Sequence, residues 1–245
     1  MGFLAALHFL TTVPVATRRH FSDAQLGASL AYYPLVGALL GVVLAIVARL
    51  LAVVFEHTVV TALTVLAWVL LTGGLHLDGF MDACDGLFAH RSTEERLRVM
   101  RDVHVGAWGV IGVVLLLLLK VAALTTLLER ANATGALLLA PTLARWAMCV
   151  SVGAFPYGRA EGWGKTLKEN ASPRAVWLAT LSTLVIAGLV QPLMGLLSLG
   201  LAVGTMLLVT RFALDRLPGL TGDVYGMIAE TSEAIVLVAF TLQWP

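Results

Sequence analysis

The stretch VVTALTVLAWVLLTGGLHLDGFMDACDGLF, residues 59–88, decides the fold because an apolar run in it meets a group of acidic residues. The run 59–76 is apolar enough to cross the hydrocarbon core of a bilayer, which requires about 20 residues of helix. Asp78, Asp82 and Asp85 follow at once. Carboxylates this close repel one another and raise one another's pKa. The sequence therefore predicts a membrane helix that ends at an acidic site.

The rest of the chain has the composition of a membrane protein. Apolar residues make up 59% of the 245 residues and charged residues 13%, whereas soluble domains carry about 25% charge. Besides 59–76, the segments that predict spans are 30–54, 108–128, 134–155, 175–190, 193–210 and 228–244. The last contains acidic residues, so six is the alternative count. We expect an all-α, polytopic membrane bundle of about seven transmembrane helices, forming one domain over residues 1–245.

Lysine and arginine are distributed unequally between the connections. The N-terminus and the loops 77–107, 156–174 and 211–227 hold twelve of them, against Arg130 alone in the alternate connections. The positive-inside rule therefore predicts a cytoplasmic N-terminus, cytoplasmic long loops and, with seven spans, an external C-terminus. A net charge of +1 without a basic stripe gives no indication of nucleic-acid binding.

The spacing of the first three aspartates predicts a metal site. Asp78, Asp82 and Asp85 stand at i, i+4 and i+7, within about 60° of arc on a helix. A hard divalent cation removes their repulsion, and Mg²⁺ takes oxygen ligands from carboxylates and substrate phosphates. The alternative is an exposed helix start, where acidic residues are favourable. Three acids on one face at a membrane boundary favour the Mg²⁺ site.

A second acidic stretch, GLTGDVYGMIAETSEAI, occupies residues 219–235. It reads as a loop that turns into a helix, with Thr221 or Asp223 as N-cap. Asp223 and Glu230 share a face at i, i+7, and Glu233 lies at its edge. Glu233 is followed directly by an apolar run. A carboxylate buried at that position needs a hydrogen-bonding or ionic partner.

Basic residues supply groups that could hold an anion. Arg91, Arg98 and Arg101 lie in the loop after the aspartates, and arginine suits bidentate contacts to phosphate. Arg145 lies near the middle of the span 134–155, where a charge normally faces the bundle interior and has a partner. We expect that partner to be an acidic residue or a bound phosphate. Lys120, like Arg49, is expected to reach the outer interface.

Five segments carry a resemblance to a known family. They are FLTTVPV (9–15), YYPLVGALLGV (32–42), GGLHLDGFMDACDGLFAHRSTEERLRVMRDVHVGAWGV (73–110), GRAEGWGK (158–165) and LTGDVYGMIAETSE (220–233). In this order they resemble the cobalamin synthase, or adenosylcobinamide-GDP ribazoletransferase, family, from about residue 3 to the C-terminus. Met81 to Cys84 depart from the commoner ADTxD-like pattern, but the three aspartates remain.

The resemblance implies an integral enzyme of the bacterial cytoplasmic membrane with a cytoplasmic active site. Its Mg²⁺-dependent reaction joins adenosylcobinamide-GDP to α-ribazole, or to its 5′-phosphate, and releases GMP. Asp78, Asp82 and Asp85 are then Mg²⁺ ligands, and Asp223 or Glu230 completes the site or acts as general base. Asp82 is included among the catalytic residues. The residues expected to bind substrate are Arg91, Arg98, Arg101, Arg145, Lys165 and Thr221. The chain could act alone or as a homo-oligomer, and both alternatives stay open.

Two other functions stay open at this stage. A secondary transporter also carries charges and glycine-broken helices in the membrane, but its site lies at the midplane, and no inverted repeat is visible. A CDP-alcohol phosphotransferase that makes phospholipid would have a DGxxAR pattern. Here Asp85–Gly86 is followed by LFAHR, which places Arg91 one position too far. The identity of the nucleotide released separates the three functions.

Overall fold

The computed structural model describes residues 1–14 and 21–243, and these form helices joined by short connections. Arg18 and Arg19, which contributed to the predicted orientation, lie outside the described residues. The α-helices in these ranges are α1 (Gly2–Leu10), α2 (Asp23–Ser29), α3 (Tyr33–Leu51), α4 (His57–Thr72), α5 (Leu75–Leu87), α6 (Thr93–Val99), α7 (Ala107–Glu129), α8 (Ala133–Ala154), α9 (Trp163–Asn170), α10 (Pro173–Val190), α11 (Pro192–Leu214) and α12 (Gly222–Ala239).

The polytopic helical bundle is confirmed, and the described residues contain five or six candidate spans, in agreement with the alternative count of six. A helix occupies every predicted segment. Within residues 1–14 and 21–243, five helical segments are long and apolar enough to cross a membrane: α2 with α3, α7, α8, α10 and α11. Counting α4 and α5 together gives six. The segment 228–244 corresponds to α12, whose three acidic residues distinguish it from an ordinary apolar span.

The predicted span 59–76 ends earlier than expected. Helix α4 stops at Thr72, Gly73 and Gly74 both have positive φ, and α5 leaves at 90° to α4. Two consecutive left-handed residues are readily adopted only by glycine, which explains the Gly73–Gly74 pair. Because α5 has 13 residues, about 20 Å of helix, it is too short to cross the membrane by itself, and we treat it as lying outside the membrane-spanning segments.

Helix α8 forms the centre of the bundle and contacts α3, α10, α11 and α12. Its packing against α3 depends on small residues, because a Cβ at Gly37 would lie 2.3 Å from the carbonyl oxygen of Pro141. A Cβ at Gly41 would lie 2.4 Å from the carbonyl oxygen of Leu137, which Pro141 leaves without its helical N–H donor. Glycines four residues apart thus allow close backbone approach, as is common in membrane bundles.

Helices α5 and α12 cross at a pair of glycines. A Cβ at Gly79 would lie 3.0 Å from Cα of Asp223, and a Cβ at Gly226 would lie 2.7 Å from the carbonyl oxygen of His76. This crossing brings the two acidic stretches together. The loop before Arg159 is fixed beside them, since Gly158 N–H donates to Leu220 O and Leu220 N–H donates to Pro156 O, each at 2.8 Å.

Candidate active site

The crossing of α5 and α12 forms one wall of a cavity of about 300 Å³, which we call the acidic cavity. Asp78 and Asp223 line it from the two helices. Asp82 lies one turn along α5 from Asp78, on the same face, but is not part of the lining. The structure therefore brings together Asp78, Asp82 and Asp223, which were expected to share a site.

Asp82 is in an environment that disfavours its ionised form. Partial burial raises its pKa to about 7, and the nearby carboxylates of Asp223, Asp78 and Asp85 act in the same direction, opposed by Arg159. At neutral pH the group therefore lies close to its midpoint of ionisation. A bound cation would favour the charged form and lower this pKa.

Arg159 is a site residue whose position in the sequence indicates only a charge in a cytoplasmic loop. Its Nη2 donates to Asp223 Oδ2 at 2.5 Å and to the backbone oxygen of Met100 at 3.1 Å. Thr221 caps the start of α12 by accepting from Val224 N–H, and its hydroxyl also contacts Asp223 Oδ2 at 3.3 Å. One oxygen of Asp223 is thus held by two donors.

A second cavity, which we call the basic groove, adjoins the first through Arg159. Its volume is about 490 Å³, and Arg98, Arg101 and Arg159 line it. Arg98 and Arg101 are exposed at the end of α6 and just after it. Three guanidinium groups in one groove can hold phosphate oxygens, and the same groove also contains Glu94 and Asp102. Arg98 and Arg101 therefore lie where the predicted contacts to phosphate are possible, and their role in binding phosphate stays a prediction.

Asp85 has a structural role that competes with its predicted role as a metal ligand. Its Oδ2 accepts from Gly106 N–H and its Oδ1 from Gly109 N–H, both at 2.8 Å. These donors are the N-cap and N3 groups of α7, so Asp85 caps that helix from another element. A Cβ at Gly109 would lie 2.5 Å from Asp85 Oδ2, which explains the small residue there.

Glu230 does not lie with Asp223, although either of the two was expected to complete the metal site or act as general base. Seven residues of helix separate them by about 10 Å along α12. Lys120 Nζ donates to Glu230 Oε2 and to Glu233 Oε2, each at 2.5 Å. All three residues are buried, so Lys120 does not reach the outer interface as expected. Glu230 belongs to a buried ion network instead.

The expectation that Arg145 faces the bundle interior and pairs with an acid is confirmed. Its Nη1 donates to Glu233 Oε1, and its Nη2 lies 3.3 Å from His76 Nδ1. Arg145 is 1% exposed and lines neither the acidic cavity nor the basic groove. Arg145 therefore does not face either cavity directly, and Glu233 is the acidic partner that was expected for it. It reaches the acidic cavity only through His76.

Three other residues expected to bind substrate lie outside both cavities. Arg91 is exposed before α6, and its backbone oxygen accepts from Arg96 Nε at 3.0 Å. Lys165 donates to Ala160 O at 2.7 Å. Thr221 is completely buried and serves as the N-cap of α12. The side-chain contacts of Lys165 and Thr221 position a loop and a helix end and explain these residue types without a substrate, whereas the Arg91 contact uses only its backbone.

The oxygen ligands present suit a hard cation. Among the described residues, no three His, Cys, Asp or Glu side chains converge closely enough to enclose a metal ion. Mg²⁺ usually binds proteins through one or two carboxylates and takes further ligands from substrate phosphates and water. One or two of the carboxylates of Asp78, Asp82 and Asp223, beside a groove of arginines, would supply that partial set of ligands.

Comparison with known proteins gives one family over nearly the whole chain. Residues 2–241 match the family model described as cobalamin-5-phosphate synthase. An adenosylcobinamide-GDP ribazoletransferase of Desulfitobacterium hafniense is 38% identical over 246 residues, covering 98% of this chain and 96% of that protein. One from Stutzerimonas stutzeri is 40% identical over 244 residues, covering 99% and 98%.

No solved structure matches the chain. The family model and the relatives nevertheless agree over almost its full length, including both acidic stretches and the loop that carries Arg159. The chain therefore belongs to the cobalamin-5-phosphate synthase family of enzymes.

Proposed function

We propose that this enzyme joins adenosylcobinamide-GDP to α-ribazole or its 5′-phosphate and releases GMP, in a Mg²⁺-dependent reaction. The product is adenosylcobalamin or its 5′-phosphate. The observation that carries the proposal is the position of Arg159, which pairs with Asp223 in the acidic cavity and also lines the basic groove. A diphosphate bound in the basic groove would lie beside carboxylates that can bind a cation and accept a proton.

The reaction forms one bond to phosphorus and breaks another. A hydroxyl oxygen of the acceptor attacks the phosphorus that carries the cobinamide, the bond to the other phosphate breaks, and GMP leaves with the electron pair. Such transfers depend mainly on positioning and charge neutralisation. Arg98, Arg101 and Arg159 hold the phosphate oxygens and thereby balance the negative charge of the departing nucleotide.

The hydroxyl proton requires an acceptor near the reacting oxygen. Arg159 and Thr221 both contact Oδ2 of Asp223, so within the described residues Oδ1 has no competing donor. We assign Asp223 as the general base because it lines the cavity and keeps this oxygen available. Asp78 and Asp82 would hold Mg²⁺, which when bound supplies positive charge to the phosphate oxygens.

The location of the reaction follows from the distribution of basic residues. The loops that carry Arg98, Arg101 and Arg159 are the ones that the positive-inside rule assigns to the cytoplasm. We therefore place the enzyme in the bacterial cytoplasmic membrane, as a single domain with its active site on the cytoplasmic side. The apolar helix faces contact lipid.

Measuring nucleotide release from defined donors tests the function. The purified protein in detergent is given adenosylcobinamide-GDP, α-ribazole and Mg²⁺, and we expect GMP in equal amount to the joined corrinoid. Parallel reactions contain a CDP-activated lipid donor with an alcohol acceptor. CMP release from that donor, with no GMP from the first reaction, would identify a phospholipid enzyme and contradict the proposal.

A further inference from the structure

The acidic cavity contains polar groups that the proposed chemistry does not use. His76 Nε2 and Tyr225 Oη are both buried, and neither has a hydrogen-bond partner within the described residues. Both residues line the cavity. Buried polar atoms are nearly always paired, so these two atoms, together with Tyr33 Oη and Arg159 Nε on the same lining, indicate a ligand that pairs with them.

The contact with Arg145 determines which ring nitrogen of His76 carries the proton. A guanidinium group has donors but no acceptor, so His76 Nδ1, 3.3 Å from Arg145 Nη2, must be the nitrogen with the lone pair. The imidazole is therefore neutral and its proton is on Nε2. Because Glu233 holds Arg145 in place, the buried ion network keeps His76, a lining residue of the cavity, in the form whose Nε2 carries the donor proton.

The walls of the cavity favour an aromatic ligand. Five of its seventeen lining residues are aromatic, whereas aromatic residues make up 8% of the chain. The rings of Tyr157 and Tyr225 are stacked, with their centroids 6.4 Å apart. The rings of Phe9 and Trp163 are tilted relative to each other, with their centroids 6.5 Å apart. Rings of this kind bind flat aromatic groups by stacking or edge-to-face contact.

The size of the cavity separates the two substrates. A volume of about 300 Å³ is at the lower end for small-molecule sites. It is suited to a nucleoside, whereas a corrinoid attached to a nucleoside diphosphate has several times as many atoms. Neutral donors are also suited to an uncharged ring nitrogen or hydroxyl, while the diphosphate matches the arginines of the basic groove.

We propose that the acidic cavity is the acceptor subsite, which binds a nucleoside with an aromatic base, and that His76 Nε2 and Tyr225 Oη donate hydrogen bonds to its acceptor atoms. This inference rests on the proposed function, since it assigns the smaller substrate of that reaction. Asp223 lines the same cavity and therefore lies beside the nucleoside hydroxyl that reacts.

Two conservative substitutions remove these donors and little else. Tyr225→Phe deletes one hydroxyl. His76→Asn keeps an acceptor for Arg145 near the position of Nδ1 but has no group at the position of Nε2. Tyr32→Phe is the matched control, because Tyr32 packs edge-to-face on Phe3 and is not part of the cavity lining.

The experiment measures α-ribazole binding by calorimetry on the detergent-solubilised enzyme, and the KM of each substrate from GMP release. We expect Tyr225→Phe and His76→Asn each to weaken α-ribazole binding about five- to tenfold, the usual effect of one lost hydrogen bond. The KM for adenosylcobinamide-GDP should stay within about twofold of wild type, and Tyr32→Phe should change neither value.

Other outcomes separate the two proposals. Unchanged Kd and KM for α-ribazole in Tyr225→Phe, or an increase confined to the KM of the corrinoid donor, would overturn the acceptor subsite while GMP release still supported the reaction. Weakened α-ribazole binding without GMP release by the wild type would support the subsite and contradict the reaction. If His76→Asn fails to fold, Tyr225→Phe decides alone. If wild type binds no α-ribazole by itself, the KM values decide, and absence of both binding and turnover overturns both proposals.

Discussion

Arg159 Nη2 lies 2.5 Å from Asp223 Oδ2, and this ion pair stands where the acidic cavity meets the basic groove. The pair joins a loop to the start of α12, elements separated by more than fifty residues of chain. Its geometry depends on the backbone pairing of Gly158 with Leu220 just before Arg159. One guanidinium group can thus fix the orientation of the base and contact the diphosphate.

We expect Arg159→Lys to impair the donor substrate more than the acceptor. Lysine has a single ammonium group and cannot contact Asp223, Met100 O and a phosphate in the planar arrangement of a guanidinium. Losing a hydrogen bond to a charged group costs about 1.5–3 kcal/mol, or roughly 10- to 100-fold in kcat/KM for adenosylcobinamide-GDP. Initial rates of GMP release measure it. Arg174→Lys, at an exposed position beginning α10, is the control, and an equal loss there would contradict the assignment.

The pKa of Asp82 predicts that Mg²⁺ dependence changes with pH. Burial and the neighbouring carboxylates raise this pKa to about 7, so the group is largely protonated at pH 6 and largely ionised at pH 8. Because Mg²⁺ binds the ionised carboxylate, the Mg²⁺ concentration for half-maximal GMP release should fall as pH rises through 7. Asp82→Asn should lose at least about a hundredfold in rate, or 2.7 kcal/mol. Near-normal turnover of that variant with the same Mg²⁺ dependence would exclude Asp82 as a ligand.

Asp85 and Asp82 should respond differently to the same substitution. Asp85→Asn replaces one carboxylate oxygen with an NH₂ group that faces an N–H donor of α7, so we expect a loss of about 1–2 kcal/mol in stability and a lower Tm. Asp82→Asn should leave the Tm unchanged or raise it, since it removes charge repulsion. Thermal unfolding in detergent compares them. A normal Tm for Asp85→Asn with abolished Mg²⁺ dependence would restore Asp85 as a metal ligand.

The sequence predicts the common helix face of Asp78 and Asp82 because the signals for it are local. The i, i+4 spacing of Asp78 and Asp82 and the nearby Gly79 define a helix face that the structure shows beside the start of α12, whereas Asp85 at i+7 contacts the start of α7. The partners across the bundle were not predictable in the same way. Asp223 and Glu230 lie on the same face of a helix, which suggested that they share a site. Residues on one face can nevertheless be far apart along the helix axis, as these two are. Lys120 and Arg159 find their partners only through packing of helices distant in sequence.

A reporter fusion tests orientation and the number of crossings. The distribution of basic residues predicts a cytoplasmic loop 156–174 and an external C-terminus. A reporter that is active only in the cytoplasm should be inactive when fused after Pro245 and active when fused to the chain truncated after Glu169. Activity at both positions would show that α12 does not cross the membrane, which would agree with the six candidate spans that the described residues contain rather than with seven.

The buried ion network predicts a large loss of stability that a second substitution reverses. Lys120→Met leaves Glu230 and Glu233 buried with only Arg145 nearby, and an uncompensated buried charge costs about 3–5 kcal/mol. Adding Glu230→Gln removes one negative charge and should recover most of that loss, because one cation and one anion then remain. Thermal unfolding of the single and double variants measures the coupling. Arg49→Met, at an exposed position near the end of α3, is the control and should change the Tm little. Additive effects of Lys120→Met and Glu230→Gln would show that the two side chains do not depend on each other.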